Sequence, residues 1–521
     1  MTLTRSQWII IVLLAALALV ARAIPGPRTI DDAFITFRYS RNIDEGQGFV
    51  YNPGVQTLGT TTPLFALTMA ALSKIAGGED YQNYAIVVSA IADAISVVLI
   101  FLIARTVIES DLIAALPAAL WAISPMSVTF AVGGMETSVN ILWMIAATWF
   151  YVAQRATPKR SQIGIGICAA LGLLTRIDAA FWIAPLFLFQ LIESWIAGRG
   201  KPFLQRLPWR TWSAGALVLL PWVIFSLAYF GTPIPNSVTA KRYAYLIEPG
   251  SALIRLIQTY STPFFEFNTF GSIGTMIAAV VYLTLSLLAF VYTARKAPRL
   301  LPLLIYPWLY LIIFSLLNPL IFRWYLAPPI PALMLGIVIG AWSIVSRPLK
   351  NSRALRFAPV IVGIFGCVWL FTSINGWALH PEQGPDRPAP EMAWNALELL
   401  YQQMGEHLYN DLKVTPQTRV ASGDIGTIGY FTRATIVDTV GLVTPKLTRY
   451  YPVDRALIAS DQNYAIPPQL IYDTQPDYLV TMEGFVREGL AKQTQFHDEY
   501  NLITEYPFNV YGTGMQLYAK K

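Results

Sequence analysis

Apolar residues in this chain come in long, nearly unbroken blocks separated by short polar interruptions. The one-sided striping of a helix half in water is largely missing. The blocks predict helices over 8–23, 84–104, 112–130, 137–154, 162–175, 178–196, 211–230, 271–293, 300–317, 325–345 and 357–376. Several fall short of the ~20 residues that a straight helix needs to cross hydrocarbon, so roughly ten to thirteen spans fit the pattern. The stretch Pro63–Ile75 is apolar but short and carries Lys74, which predicts a helix lying along the membrane interface. Past residue 380 the pattern changes. A Pro-rich run, Pro381–Pro390, leads into an amphipathic helix over Glu391–Leu412. Short strands then follow at Arg419–Ser422, Thr435–Asp438, Asp477–Thr481 and Met515–Ala519, an α/β pattern. Gly423, Gly426 and Gly429 are spaced G-x-x-G-x-x-G rather than as a dinucleotide G-x-G-x-x-G, and predict a tight strand–helix turn. Asp424 and Asp438 either help to bind an acceptor or serve the structure of this unit, with the structural role favoured.

Composition sharpens the class. Of 521 residues, 55% are hydrophobic and 13% charged, against about 25% charged in soluble proteins. The fold class is a polytopic α-helical membrane protein of about eleven spans with a C-terminal extracytoplasmic α/β domain: 1–379 in the membrane, 380–521 outside it. The net charge of +6 divides along the same line. Residues 1–379 carry 26 Lys+Arg against 14 Asp+Glu, and residues 380–521 carry 11 against 17. The basic excess belongs to loops between spans, which leaves no case for a nucleic-acid partner. Cys168 and Cys367 each lie in an apolar run and read as small buried hydrophobes. His380, His407 and His497 lack zinc-ligand spacing.

The first block has an Arg5 flank and ends in Ala21-Arg22-Ala23, like a signal peptide. The many spans behind it favour an uncleaved first helix. Alternate loops then hold Arg105; Arg155, Lys159 and Arg160; Arg199, Lys201, Arg206 and Arg210; Arg295, Lys296 and Arg299; and Arg347, Lys350, Arg353 and Arg356. The intervening loops hold Asp31/Asp32, Glu136, Arg176/Asp178, Lys241/Arg242 and Arg323. Basic clusters mark the cytoplasmic side. The N-terminus is then cytoplasmic, and the C-terminal domain lies outside a plasma (inner) membrane. The chemically suggestive residues fall on that outer side, chiefly in loops 24–83 and 231–270.

In the first outer loop, Asp31 and Asp32 are costly to dehydrate at the mouth of a membrane helix. They are also the groups that general-base chemistry needs. On a helix starting near Asp31, Ile35 and Arg38 follow at i+4 and i+7, which puts a cation on the face of the acid. Adjacent acids diverge by about 100° on a helix, so only one can aim into a cleft. An N-cap is the plain alternative, and one Asp would serve it. Glu136, in Gly133-Gly134-Met135-Glu136-Thr137, either reaches the site or caps the next helix. Arg176 and Asp178 either face the site or pair with each other. Lys241, Arg242 and Arg323 either meet a phosphate or anchor the chain at the headgroups.

The loop reads Asp31-Asp32-Ala33-x-Ile35-x-x-Arg38-Tyr39-x-x-Asn42, then Gly46-x-Gly48, Asn52-Pro53-Gly54 and Thr61-x-Pro63-Leu64. This wording resembles the GT-C superfamily of membrane glycosyltransferases, which take sugars from polyprenyl-phosphate carriers. It is similar to bacterial relatives of protein O-mannosyltransferases and lipid A aminoarabinose transferases, and especially to mycobacterial-type terminal arabinofuranosyltransferases. The resemblance implies an inverting transferase of cell-envelope glycan synthesis, moving an arabinofuranosyl- or mannosyl-type sugar to a glycan, lipid or protein hydroxyl. It implies Asp32 as the base with Asp31 as runner-up; Ala33 stands where relatives carry Glu. It further implies a donor phosphate held by Arg323, Lys241, Arg242 and Arg176, and substrate contacts from Arg38, Glu136, Asp178 and Tyr325. A divalent cation, Mg or Mn, would have Asp31 and Glu136 as ligands. The competing class is a polytopic transporter or lipid-carrier flippase, which would place charges near the bilayer midplane in paired broken helices.

Overall fold

The computed structural model describes residues 3–153, 158–265, 267–346, 357–377 and 395–521. The expected Pro-rich run, the start of the amphipathic helix, Arg155 and the basic cluster 347–356 lie outside them. The helices are α1 (Arg5–Ala23), α2 (Asp31–Asp44), α3 (Pro63–Ala76), α4 (Tyr81–Ala104), α5 (Asp111–Ile123), α6 (Pro125–Val132), α7 (Thr137–Ala153) and α8 (Pro158–Thr175). They continue as α9 (Ala180–Ala197), α10 (Trp209–Phe230), α11 (Asn236–Ala244), α12 (Ser251–Ser261), α13 (Phe267–Lys296), α14 (Leu301–Leu317), α15 (Ile330–Ser346) and α16 (Ala358–Asn375). Among the described residues six helices are long and apolar enough to cross a membrane, or seven if the pair α5 and α6 is one bent span. α7, α15 and α16 are shorter apolar helices, as is α3, the expected interfacial helix. α15 starts at Ile330 rather than near 325, because Pro328 and Pro329 cannot continue a helix from before them. Apolar side chains such as Trp8, Val12, Leu217 and Ile224 are exposed on the bundle's outer surface, where lipid satisfies them. The chain is a polytopic helical membrane protein.

The break between α5 and α6, 45° at Ser124, was expected as one continuous span over 112–130. Pro125 lacks the N–H that would carry the ladder through. Arg22, buried at the end of α1, donates to the Ala122 carbonyl and to Ser127 Oγ at 2.5 Å. Its Nε reaches Asp93 Oδ2 of α4 at 3.0 Å, and Ser138 Oγ donates to the same oxygen at 2.8 Å. Two buried charges thus compensate each other and stitch five helices where the backbone is interrupted. The residue that resembled part of a cleavage site is the centre of this knot.

Residues 395–521 form the expected α/β unit. It contains α17 (Asn395–Asn410), β1 (Arg419–Ser422), α18 (Gly426–Thr432), β2 (Thr435–Asp438), α19 (Pro468–Thr474), β3 (Tyr478–Met482), β4 (Tyr500–Pro507) and β5 (Gly514–Lys520). The sheet order is β2-β1-β3-β5-β4, with β2, β1 and β3 parallel and β5 and β4 antiparallel additions. The edge strand β4 was not expected; its run of exposed residues, Asn501, Leu502 and Ile503, gives no apolar alternation. The carboxyl end of β1, where ligands gather in parallel sheets, turns straight into α18, and α18 lies on α2.

That contact explains the glycine spacing. A Cβ on Gly426 would lie 1.8 Å from the Asp31 carbonyl oxygen, and one on Gly429 would lie 1.9 Å from the Tyr51 hydroxyl. Only glycine lets the two helices approach so closely. Arg38 of α2 is 1% exposed and donates to Tyr51 O (2.9 Å), Gly429 O (2.5 Å), Asn52 Oδ1 (3.1 Å) and Ala434 O (2.6 Å). Asn52 also pairs with the Ile436 backbone, and Tyr51 donates to Ile425 O. Much of the distinctive first loop therefore serves as a dock for the C-terminal unit.

Candidate active site

The loop reaches the site along the turn after α6. Arg28 N donates to Val132 O and Ile30 N to Gly133 O, both at 3.0 Å. Helix α2 begins at the next residue, so both acids occupy its first turn, where the helix dipole favours negative charge. Their side chains then part. Asp31 turns to the C-terminal unit: its Oδ1 accepts from Thr427 N at 2.7 Å and its Oδ2 from Gly426 N at 3.1 Å. The Asp31 backbone N–H donates to Glu398 Oε1 of α17 at 3.1 Å. The N-cap anticipated for one Asp exists, but the helix capped is α18, far along the chain. Burial, with the charge of Asp424 added, pushes the Asp31 carboxyl up to about 7 against the pull of the Thr427 N–H.

Asp32 points the other way. Its Oδ2 accepts from Lys241 Nζ at 3.2 Å, and its side chain is 26% exposed on the wall of a cavity of about 1070 Å³. Lys241 comes from the last turn of α11, and its Nζ also lies 4.2 Å from the centre of the Phe322 ring. Burial works against the ammonium, but Asp32 and Tyr325 together hold the Lys241 amine above its ordinary range. The cavity runs along the seam between the helix bundle and the C-terminal unit. Asp31, Asp32, Arg323, Trp324 and Tyr245 line it from the bundle; Glu398, Tyr401 and Asp424 line it from the other side.

The remaining expected residues separate cleanly. Arg176 is buried between two acids, with Nε and Nη2 on the oxygens of Asp178 at 2.9 Å and Nη1 on Glu136 Oε1 at 2.7 Å. Its guanidinium lies 5.2 Å from the centre of the Tyr325 ring. Two carboxylates hold Arg176 well above its usual range despite burial, so it is a compensated network and not a cation facing a phosphate. Of the readings left open, the mutual ion pair is the one observed, extended by Glu136. Arg242 is exposed and absent from the cavity lining, while Arg323 lines it. Arg38, expected to touch substrate, is instead the docking residue described above, because all its donors reach acceptors in the first loop and C-terminal unit.

The donors put forward for Mg or Mn do not fit a cation. Both oxygens of Asp31 accept backbone N–H groups, and Glu136 accepts from Arg176. Among the described residues no group of three or more His, Cys, Asp or Glu is arranged to hold a metal ion.

Glu398 lines the cavity without having been assigned to it from sequence, and Asp424, for which acceptor binding was the less favoured of two roles, lines it too. Asp424 follows β1 and receives a hydrogen bond from Tyr401 Oη. Burial raises both carboxyls, Glu398 well above the usual carboxylate range, with nearby acids adding to the effect. A signal existed for Glu398: it is an acid beside the apolar stripe Leu397, Tyr401, Met404 and Leu408 of α17, a position where burial of a carboxyl is costly. Asp438 is structural as expected, accepting from the N–H groups of Val440, Gly441 and Val443.

Comparison with known proteins adds the following. Residues 60–225 match the family described as dolichyl-phosphate-mannose-protein mannosyltransferase, and residues 391–518 match a domain of unknown function (DUF8728). No curated protein matches the chain. ArnT from Cupriavidus metallidurans bound to undecaprenyl phosphate superposes with a TM-score of 0.54 at 14% identity, covering 99% of this chain and 98% of that one. The apo form of the same protein gives 0.52 at 14% identity, covering 98% and 97%. The mycobacterial arabinofuranosyltransferase AftD, as its mutant R1389S, gives 0.49 at 16% identity, with 100% of this chain but 42% of that one; no argument rests on it.

Proposed function

We propose that this chain, which carries the GT-C fold of membrane glycosyltransferases, moves a sugar from a polyprenyl-phosphate carrier to an acceptor hydroxyl at the outer face of the membrane. The resemblance first seen in the acidic loop holds over the full length of the fold, from α1 through the C-terminal unit. The mannosyltransferase match over 60–225 supports a lipid-linked sugar as donor, as does the undecaprenyl phosphate held by the ArnT structure.

The observation that carries the reading is Asp32, a cavity-facing carboxylate fixed by Lys241 at 3.2 Å. In the proposed step the acceptor O–H gives its proton to Asp32 while its oxygen attacks the anomeric carbon from the side opposite the phosphate. The new C–O bond forms as the bond to the phosphate oxygen breaks, and that electron pair leaves with the polyprenyl phosphate. The configuration inverts. Arg323, on the same cavity wall and close enough to Glu398 for their charges to interact, would in this step turn its guanidinium toward the departing phosphate. Donors placed where charge develops are worth about 10²–10³ in rate each. No step requires a metal, and none is routed through one.

The alternating basic loops support a plasma-membrane orientation with the N-terminus cytoplasmic and the 395–521 unit outside. The sugar we favour is of the arabinofuranosyl or mannosyl type, in the assembly of a cell-envelope glycan. A transporter or flippase would put its working charges along broken helices at mid-bilayer; here the cavity charges sit at helix ends, and the Arg22–Asp93 pair is sealed within the bundle.

The test is purified protein in lipid nanodiscs with radiolabelled polyprenyl-phosphate arabinofuranose or mannose and a membrane extract as acceptor. Label should move into a lipid-free or acceptor-bound product with one of the two donors. Failure of both donors to release sugar would overturn the proposal.

A further inference from the structure

The cavity wall opposite Asp32 has its own chemistry. Glu398 is 8% exposed, and its Oε1 is taken by the Asp31 N–H, but its Oε2 has no hydrogen-bond partner although it is fully buried. An unsatisfied buried carboxyl oxygen is destabilising, and more so when charged. Asp424, bonded to Tyr401 Oη, lines the same wall and lies close enough to Asp32 for their charges to interact.

Beside these acids runs a ladder of rings. Phe322 and Tyr245 are 6.4 Å apart between centroids, Tyr245 and Tyr464 5.5 Å, Tyr464 and Phe485 5.1 Å, and Phe485 and Tyr511 5.3 Å. All five rings line the cavity. Aromatic faces carry negative quadrupole charge and attract weakly positive C–H groups. Carboxyl and phenol groups exchange hydrogen bonds with vicinal hydroxyls. A saccharide presents both features together, C–H faces and hydroxyl edges; a peptide or a lipid chain does not.

We propose that Glu398, with Asp424 and the Tyr245–Tyr511 ring ladder, forms a saccharide subsite that holds the acceptor hydroxyl toward Asp32. This deepens the reading above and rests on it: the acceptor is a glycan, and the C-terminal unit supplies half of its binding site. Glu398 is then a specificity-determining residue whose free oxygen is completed by a sugar hydroxyl. A residue kept unsatisfied for a ligand is a stability cost maintained for function.

The test pairs two variants of the full chain in nanodiscs. Glu398→Met keeps the volume and removes both oxygens; Glu398→Gln keeps a donor and an acceptor. Binding of an arabinofuranosyl and of a mannosyl tetrasaccharide is followed by Trp fluorescence without donor, so the readout does not depend on turnover. Wild type should bind one of them, Glu398→Met about tenfold more weakly, and Glu398→Gln within about threefold; Glu398→Met strands the Asp31 N–H and should melt somewhat lower, whereas Glu398→Gln keeps that acceptor and should melt near wild type. With donor present, the acceptor KM should shift with the Kd and the donor KM should not. Equal affinity of Glu398→Met and wild type, or no saccharide binding by wild type, would overturn the subsite. If donor turnover fails but Glu398-dependent binding persists, the transferase reading falls while the subsite stands.

Discussion

The two faces of α2 begin on adjacent residues and serve different purposes. On one, Asp31 and Arg38 reach across to α18 and the strands beyond it, and the Asp31 carboxylate oxygens and the Arg38 guanidinium nitrogens all have partners. On the other, Asp32 meets a single ammonium and an open cavity. A helix turn of about 100° per residue produces this division. The same first turn thus builds the wall of the site and its reactive edge, so a change that undocks the C-terminal unit also opens the site. An acid pair can look like one functional unit in sequence and be two.

Changes on the docking face should cost stability. Arg38→Met strands several buried carbonyl and amide acceptors, and should lower unfolding stability by on the order of 4 kcal/mol, seen as an early thermal transition. Gly426→Ala places a methyl against the Asp31 carbonyl and should cost about 1–3 kcal/mol, without touching any group that meets substrate. On the cavity face the sign of the comparison reverses. Lys241→Met should reduce transfer about tenfold, equivalent to ~1.4 kcal/mol in the barrier, with the thermal midpoint near wild type; loss of folding instead would place Lys241 with the dock.

The smallest effect is a pH dependence. The folded Asp31 carboxyl titrates at about 7 rather than at its ordinary value of 3.8. Between these values the folded chain holds a proton that the unfolded chain has lost, so this group's contribution to stability falls as pH rises through about 7. Asp31→Asn lacks that titration. Its thermal midpoint relative to wild type should therefore improve between pH 5 and pH 8, and a constant difference would contradict the assignment.

Much of this was legible in the sequence, for identifiable reasons. Each of the hydropathy blocks contains a helix because lipid tolerates little else. The strands with buried apolar runs were visible, whereas β4 was hidden by its exposure. The break at Pro125 was masked by apolar residues on both sides. Asp32 stood out because an acid at a membrane helix end is conspicuous. Arg38 was placed wrongly because two of its acceptors, Gly429 O and Ala434 O, lie nearly four hundred positions away; spacing along α2 shows only which face it shares. The glycine spacing at 423–429 predicted a tight strand–helix turn, and β1 does turn into α18 there, but its cause, the close approach of α2, exists only in three dimensions.

The most direct measurement compares Asp31→Asn and Asp32→Asn in one transfer assay, with polyprenyl-phosphate sugar as donor and both proteins matched for thermal midpoint by circular dichroism. Asp32→Asn should lose about 10²–10⁴-fold in transfer while remaining folded and docked, and Asp31→Asn should keep activity within about tenfold of wild type while its stability changes. Near-normal transfer by Asp32→Asn, or a greater loss in Asp31→Asn, would contradict the division of labour between the two acids.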